Sequence, residues 1–77
     1  MTLSGFMSID QIKEFTGRKP FRPFTINLLD GEPILIAEAA ALVIPPRSKF
    51  GTLIAFTEDG RMHIFEQSVI ASLSQES

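Results

Sequence analysis

Cysteine, tryptophan and tyrosine are absent, and histidine occurs once, at His63. Without cysteine there is neither a disulfide staple nor a thiolate metal site. A lone imidazole cannot assemble the three or four ligands of an ordinary zinc centre, so no metal or other cofactor is expected. Long hydrophobic runs are missing too. The longest, AAALVIPP at residues 39–46, is far short of the ~20 residues that span a bilayer, and no membrane association is expected. Strong charge of one sign is also lacking: the formal net charge is −2 and the pI is near 5.2. That balance opposes long-range attraction of a polyanion. The opening MTLSGFMSID has no charged region followed by an apolar core. No secretory signal is read there, and a cytoplasmic protein is expected.

What is present suits one small domain over residues 1–77. A chain this short buries only about 60% of its unfolded surface, so its core is marginal. With 44% hydrophobic residues it is too apolar for a disordered linker. A compact domain that also self-associates reconciles the two facts.

Residues 1–6 carry no pattern and read as a loose leader, and Met7 offers an alternative start. Ser8 as N-cap with Gln11 three residues on makes a capping box, and Met7 and Ile12 stand at the positions of a hydrophobic staple. Ile9, Ile12 and Phe15 share a face and Gly17 supplies a left-handed stop, which predicts a helix over 8–16. Pro20 and Pro23 then forbid helix and extend the residues before them.

From Phe24 the period is two, with Phe24, Ile26 and Leu28 on one side. A two-residue Asp30-Gly31 turn would set Asn27 against Ile34. A three-residue loop, Leu29 to Gly31 with Gly31 left-handed, pairs Ile26 with Ile34 and Phe24 with Ile36. A one-residue slip inverts every side chain, so the second register is preferred. Pro33 then suits an edge strand. Ala39–Ala41 reads as a bulge or helical turn, and Leu42–Ile44 as a brief strand. The same register test on TLIAFTEDGRMHIF gives a loop from Glu58 to Gly60, with Ile54 facing Ile64 and Phe56 facing Met62. After a tight turn, SVIASLS alternates with Val69, Ala71 and Leu73 on one side. The expected fold is mainly β with one short N-terminal helix. A small five-stranded, strongly bent antiparallel sheet over 24–74 would curl into a partly open barrel. In topology it resembles a Sm-like barrel, without any Sm sequence motif.

The stretch PFRPFTINLLDG also resembles an opening found in small uncharacterised bacterial proteins, P-F-x-P-F-x-I-x-L-x-D-G. The matching positions are Pro20, Phe21, Pro23, Phe24, Ile26, Leu28, Asp30 and Gly31, and the likeness extends loosely over residues 8–73. Members commonly carry a His-Pro pair after the second strand where this chain has AEAAA. The resemblance implies the fold and no chemistry.

Two surfaces are candidates. The basic-aromatic lead-in of Arg18, Lys19, Phe21 and Arg22, extended by Arg47 and Lys49, could serve as a single-strand nucleic-acid platform. Its bland alternative, that Phe21 and Phe24 anchor the core while the cations are solvated flanks, is preferred. The second candidate is apolar surplus: Leu29, Leu35, Leu53 and Phe65 point away from the face assigned to the core, as an interface would. His63 lacks an orienting carboxylate on its face, Asp30 and Asp59 are accounted for by turn chemistry, and no phosphate loop or nucleophile elbow occurs. No catalytic residue is assigned and no enzyme is expected. The favoured function is a non-enzymatic, homo-oligomeric protein-interaction module. The alternatives are an oligomeric Sm-like RNA/DNA binder and, last, a small-molecule binder in the barrel mouth.

Overall fold

The structure is a computed structural model that describes residues 2–4, 8–46 and 51–75. Its elements are β1 (Thr2–Ser4), α1 (Ile9–Thr16), β2 (Phe24–Leu28), β3 (Ile34–Ile36), β4 (Leu42–Val43), β5 (Thr52–Phe56), β6 (Met62–Glu66) and β7 (Ile70–Ser74). Single 3-10 turns at Ala39–Ala41 and Gln67–Val69 complete the list.

The helix starts where the capping box puts it. Gln11 donates its backbone N–H to Ser8 Oγ at 3.3 Å, while Ser8 donates its own to Gln11 Oε1 at 2.9 Å. Asp10 in the first turn complements the positive end of the helix. Eight residues cannot hold a helix in water. Ile12 and Phe15 are fully buried, and such side chains contribute about 1.5–3 kcal/mol each. Met7 lies outside the described residues, so the staple is not seen. Gly17 ends the helix with φ −89°, not in the left-handed region, and its N–H bonds Lys13 O at 2.8 Å. The Lys19–Pro20 peptide is cis.

The strands form two antiparallel sheets, one ordered β1-β7-β2-β3 and one ordered β4-β5-β6. The single five-stranded sheet and Sm-like barrel expected from the sequence are not seen, and among the described residues no barrel closes. Part of the expected leader is structured, because Thr2–Ser4 pairs with β7, Leu3 opposite Leu73. Three residues lack the length to show a period, so pairing alone defines that strand.

Both hairpins adopt the expected registers. Ile26 faces Ile34 and Phe24 faces Ile36; Ile54 faces Ile64 and Phe56 faces Met62. Their turns differ, although both read Asp-Gly. Gly60 has φ +86°, with its N–H on Thr57 O at 3.0 Å, while Gly31 does not take a positive φ. In the second hairpin the inner and outer faces are opposite to those expected. Leu53, Ala55 and Phe65 are buried, whereas Phe56, Met62 and Ile64 are exposed. A third correction falls in β7. Asn27 pairs with Ser72 but Leu28 with Ile70, so the ladder bulges at Ala71. Simple alternation from Val69 therefore fails: Ile70 and Leu73 both turn inward and Val69 is exposed.

One core lies between the sheets and under the helix. Ile12 and Phe15 meet Phe24, Ile26, Ile34 and Ile36 from one sheet and Leu53 and Phe65 from the other.

The two glycines test the turn assignment. Gly60→Ala should lower unfolding free energy by about 1–2 kcal/mol, because a Cβ is strained at positive φ although nothing lies within 4 Å of it. Gly31→Ala meets only Leu28 at 3.6 Å. It should be neutral or stabilise by up to about 1 kcal/mol by restricting the unfolded chain. Urea denaturation of the two variants checks both signs.

Candidate functional site: two unlike sheet faces and a clamped lead-in

The outer faces of the two sheets differ in chemistry. On the four-stranded sheet the outward row is polar on β2 and β7, with Leu35 of the edge strand β3, opposite Thr25, as an exposed apolar member. Asn27 Nδ2 donates to Ser72 Oγ at 2.9 Å and lies 2.8 Å from Ser74 Oγ, with half-buried Thr25 beside it. On the three-stranded sheet the outward positions are apolar. Val43 pairs with Ile54, Ile54 with Ile64, and Phe56 with Met62. These pairings set five apolar side chains side by side. Ile64 is 62% and Met62 57% exposed, with Phe56 at 45% and Val43 at 41%. Contiguous exposure of this kind marks an interaction surface.

This face is not the one chosen from the sequence. Of the four residues expected to form an interface, Leu53 and Phe65 are core residues. Leu29 and Leu35 are exposed, but Leu29 lies in the first hairpin turn, its N–H on Val69 O, and Leu35 on the edge strand β3. The structure therefore does not bring the four together. The residues on this face are Val43, Ile54, Phe56, Met62 and Ile64; an apolar second face was legible in the second hairpin, but the side that turns outward is the opposite one.

The lead-in segment is clamped to the end of β7. Arg18 donates to Gln75 Oε1, and its guanidinium carbon sits 4.4 Å from the centroid of the Phe15 ring. Gln75, itself buried, donates through Nε2 to the carbonyl of Arg22 at 3.0 Å. Phe24 is buried with its ring centroid 5.2 Å from Phe15, and half-buried Phe21 meets it edge-on at 6.1 Å. A groove of about 750 Å³ runs beside this clamp, lined in part by Phe21, Arg22, Thr25, Leu35 and Ser74. Lys19 and Arg22 stand exposed at the surface. Arg47 and Lys49 lie outside the described residues, so the extension of a basic patch through them is not seen. Of the nucleic-acid candidates, Arg18 is turned inward and Phe21 packs on Phe24.

His63 stands opposite Ala55 as expected and is half-buried. It borders a shallow cleft with Glu32, Asp59 and Arg61. Asp59 belongs to the hairpin turn. A hydrogen bond from the Thr57 hydroxyl, then the Arg61 backbone N–H and the Arg61 guanidinium 3.2 Å away, hold its carboxyl below the usual value. Its partners are those of a turn. Among the described residues no three His, Cys, Asp or Glu side chains gather as a metal site, and no helix is long and apolar enough to cross a membrane.

No known protein family, no curated protein and no solved structure matches this chain.

Gln75 carries the clamp. Gln75→Ala removes the donor to Arg22 O and the acceptor for Arg18, and should cost about 1–3 kcal/mol. Arg18→Ala should cost less, since the guanidinium can be replaced by water. Thermal unfolding of both variants decides the order.

Proposed function

We propose that this protein is a non-enzymatic interaction module that self-associates through the β4-β5-β6 sheet. The observation that supports this reading is the outward row of Val43, Phe56, Met62 and Ile64, exposed with half-buried Ile54 among them, while the other sheet turns serine, threonine and asparagine outward on β2 and β7. A chain of this size has a small core, and burial of a second apolar surface between copies adds to it without lengthening the chain. A second copy is the partner because the same apolar patch, presented twice, satisfies itself across a two-fold axis. The nucleic-acid alternative draws less support. Arg18 is engaged with Phe15 and Gln75, and the polar sheet face carries no cation on Thr25, Asn27, Ser72 or Ser74.

Solution mass by light scattering, at low and high salt and across concentration, is the test. Association that strengthens or holds at high salt is expected, because apolar burial is not screened. Ile64→Lys places a charge in the patch and should weaken association by about tenfold or more while leaving the fold intact. A monomer at every concentration would remove the proposal. Loss of oligomer at high salt, with affinity for single-stranded nucleic acid that falls steeply with salt, would favour the alternative.

A further inference from the structure

The geometry of self-association can be read from β6, and this step rests on the self-association proposed above. In the β4-β5-β6 sheet, β6 is an edge. At five residues it is longer than the two-residue β4 and the three-residue edges β1 and β3. No proline, lysine or arginine interrupts Met62–Phe65, and those are the residues that ordinarily block pairing at an edge.

The direction of the free backbone groups follows from the hairpin. Thr57 donates to Arg61 O at 2.9 Å, and Gln67 donates to Gly51 O at 2.9 Å. Both bonds belong to the register that pairs Ala55 with His63 and Leu53 with Phe65. In an antiparallel ladder hydrogen-bonded and non-bonded pairs alternate. Arg61, His63 and Phe65 therefore turn their N–H and C=O toward β5, while Met62, Ile64 and Glu66 turn theirs outward. Among the described residues no backbone bond takes up those outward groups of Met62 and Ile64.

We infer that two copies pair edge to edge through β6, antiparallel across a two-fold axis, with Met62 of each opposite Ile64 of the other. Besides a register centred on Phe65, which sets Ile64 against Glu66 twice, two registers satisfy the outward donors and acceptors. One is centred on Ile64 and sets Met62 against Glu66, an apolar side chain against a carboxylate. The other is centred on His63 and sets Met62 against Ile64 twice, which forms about four backbone bonds and two apolar cross-strand pairs. The second wins by the same test that selects the two hairpin registers within the chain. On the opposite face it brings the two His63 rings across from one another.

Size argues for the edge as well. Three strands about 4.8 Å apart, the longer two of five residues, make a face of at most roughly 14 by 17 Å, well below the ~800 Å² that each partner buries in a standard interface. Stacking of two such faces alone is undersized. Edge pairing adds backbone hydrogen bonds and covers Met62 and Ile64, the two most exposed members of the patch, with each other's side chains across the two-fold axis.

The test is amide hydrogen exchange on the full chain, at concentrations below and above the association midpoint found by light scattering. The Met62 and Ile64 amides should slow by about tenfold or more on association. If the oligomer forms and both amides exchange at the monomer's rate, edge pairing is overturned while self-association stands. A monomer under all conditions overturns both.

Discussion

The pairing of β2 with β7 is the contact on which the other parts depend, because it joins segments separated by most of the chain. Ile26 lies opposite Leu73, and neither retains any exposure. On the outer side of the same ladder Asn27 bridges Ser72 and Ser74. Closing so long a loop costs entropy that grows only slowly with its length, and burial of these side chains offsets it. Three consequences follow. β7 gains a second neighbour in β1, Gln75 arrives beneath the lead-in segment, and the second hairpin is carried over the inner face of the first. Folding of such a molecule is governed by this non-local step, since each hairpin alone is marginal.

The same dependence explains what could be read from the sequence and what could not. Register was legible in both hairpins because it is a local quantity: Ile26 against Ile34 and Ile54 against Ile64 are decided by which side chains would otherwise clash in character. Which face turns inward was legible only in the first hairpin, where Thr25 and Asn27 contrast with Phe24 and Ile26. In the second hairpin both faces are apolar. Leu53, Ala55 and Phe65 lie on one and Ile54, Phe56, Met62 and Ile64 on the other. Local pattern gives no preference there, and the larger side chains of the second set misdirect it. The choice is made by the space left under β2, β3 and α1, which admits the small Ala55 in the middle of the strand. The bulge at Ala71 is invisible for a related reason. It exists because Leu28 must meet Ile70 while Asn27 meets Ser72, and nothing in SVIASLS alone announces that.

The lead-in RKPFRPF shows how a segment that reads as a binding motif can be absorbed by the fold. Two prolines remove backbone donors from a stretch that joins no ladder before Phe24, so few backbone N–H groups are left to satisfy there. What the prolines cannot settle, the side chains do: Phe24 enters the core, Arg18 stacks on Phe15, and Gln75 ties down the carbonyl of Arg22. A cation stacked on a ring and bonded to a buried amide has lost the freedom a phosphate contact would use. The sequence names these residues without saying that Gln75, more than fifty positions away, is their partner.

An eight-residue helix and two sheets make only so many layers. The helix supplies Ile12 and Phe15 to the space between the sheets and has no second apolar face with which to cover an outer surface. A hairpin that is apolar on both sides therefore buries one side within the chain and must leave the other outward. The four-stranded sheet meets the same limit with serine, threonine and asparagine on the outer side of β2 and β7, and only Leu35 apolar at its β3 edge. That the three-stranded sheet carries isoleucine, methionine and phenylalanine in the equivalent place is thus not forced by the fold. Single apolar residues at a surface require no explanation, but a cross-strand set on three adjacent strands, ending at an edge whose own backbone groups point outward, is a surface whose side chains and backbone call for the same thing, another strand.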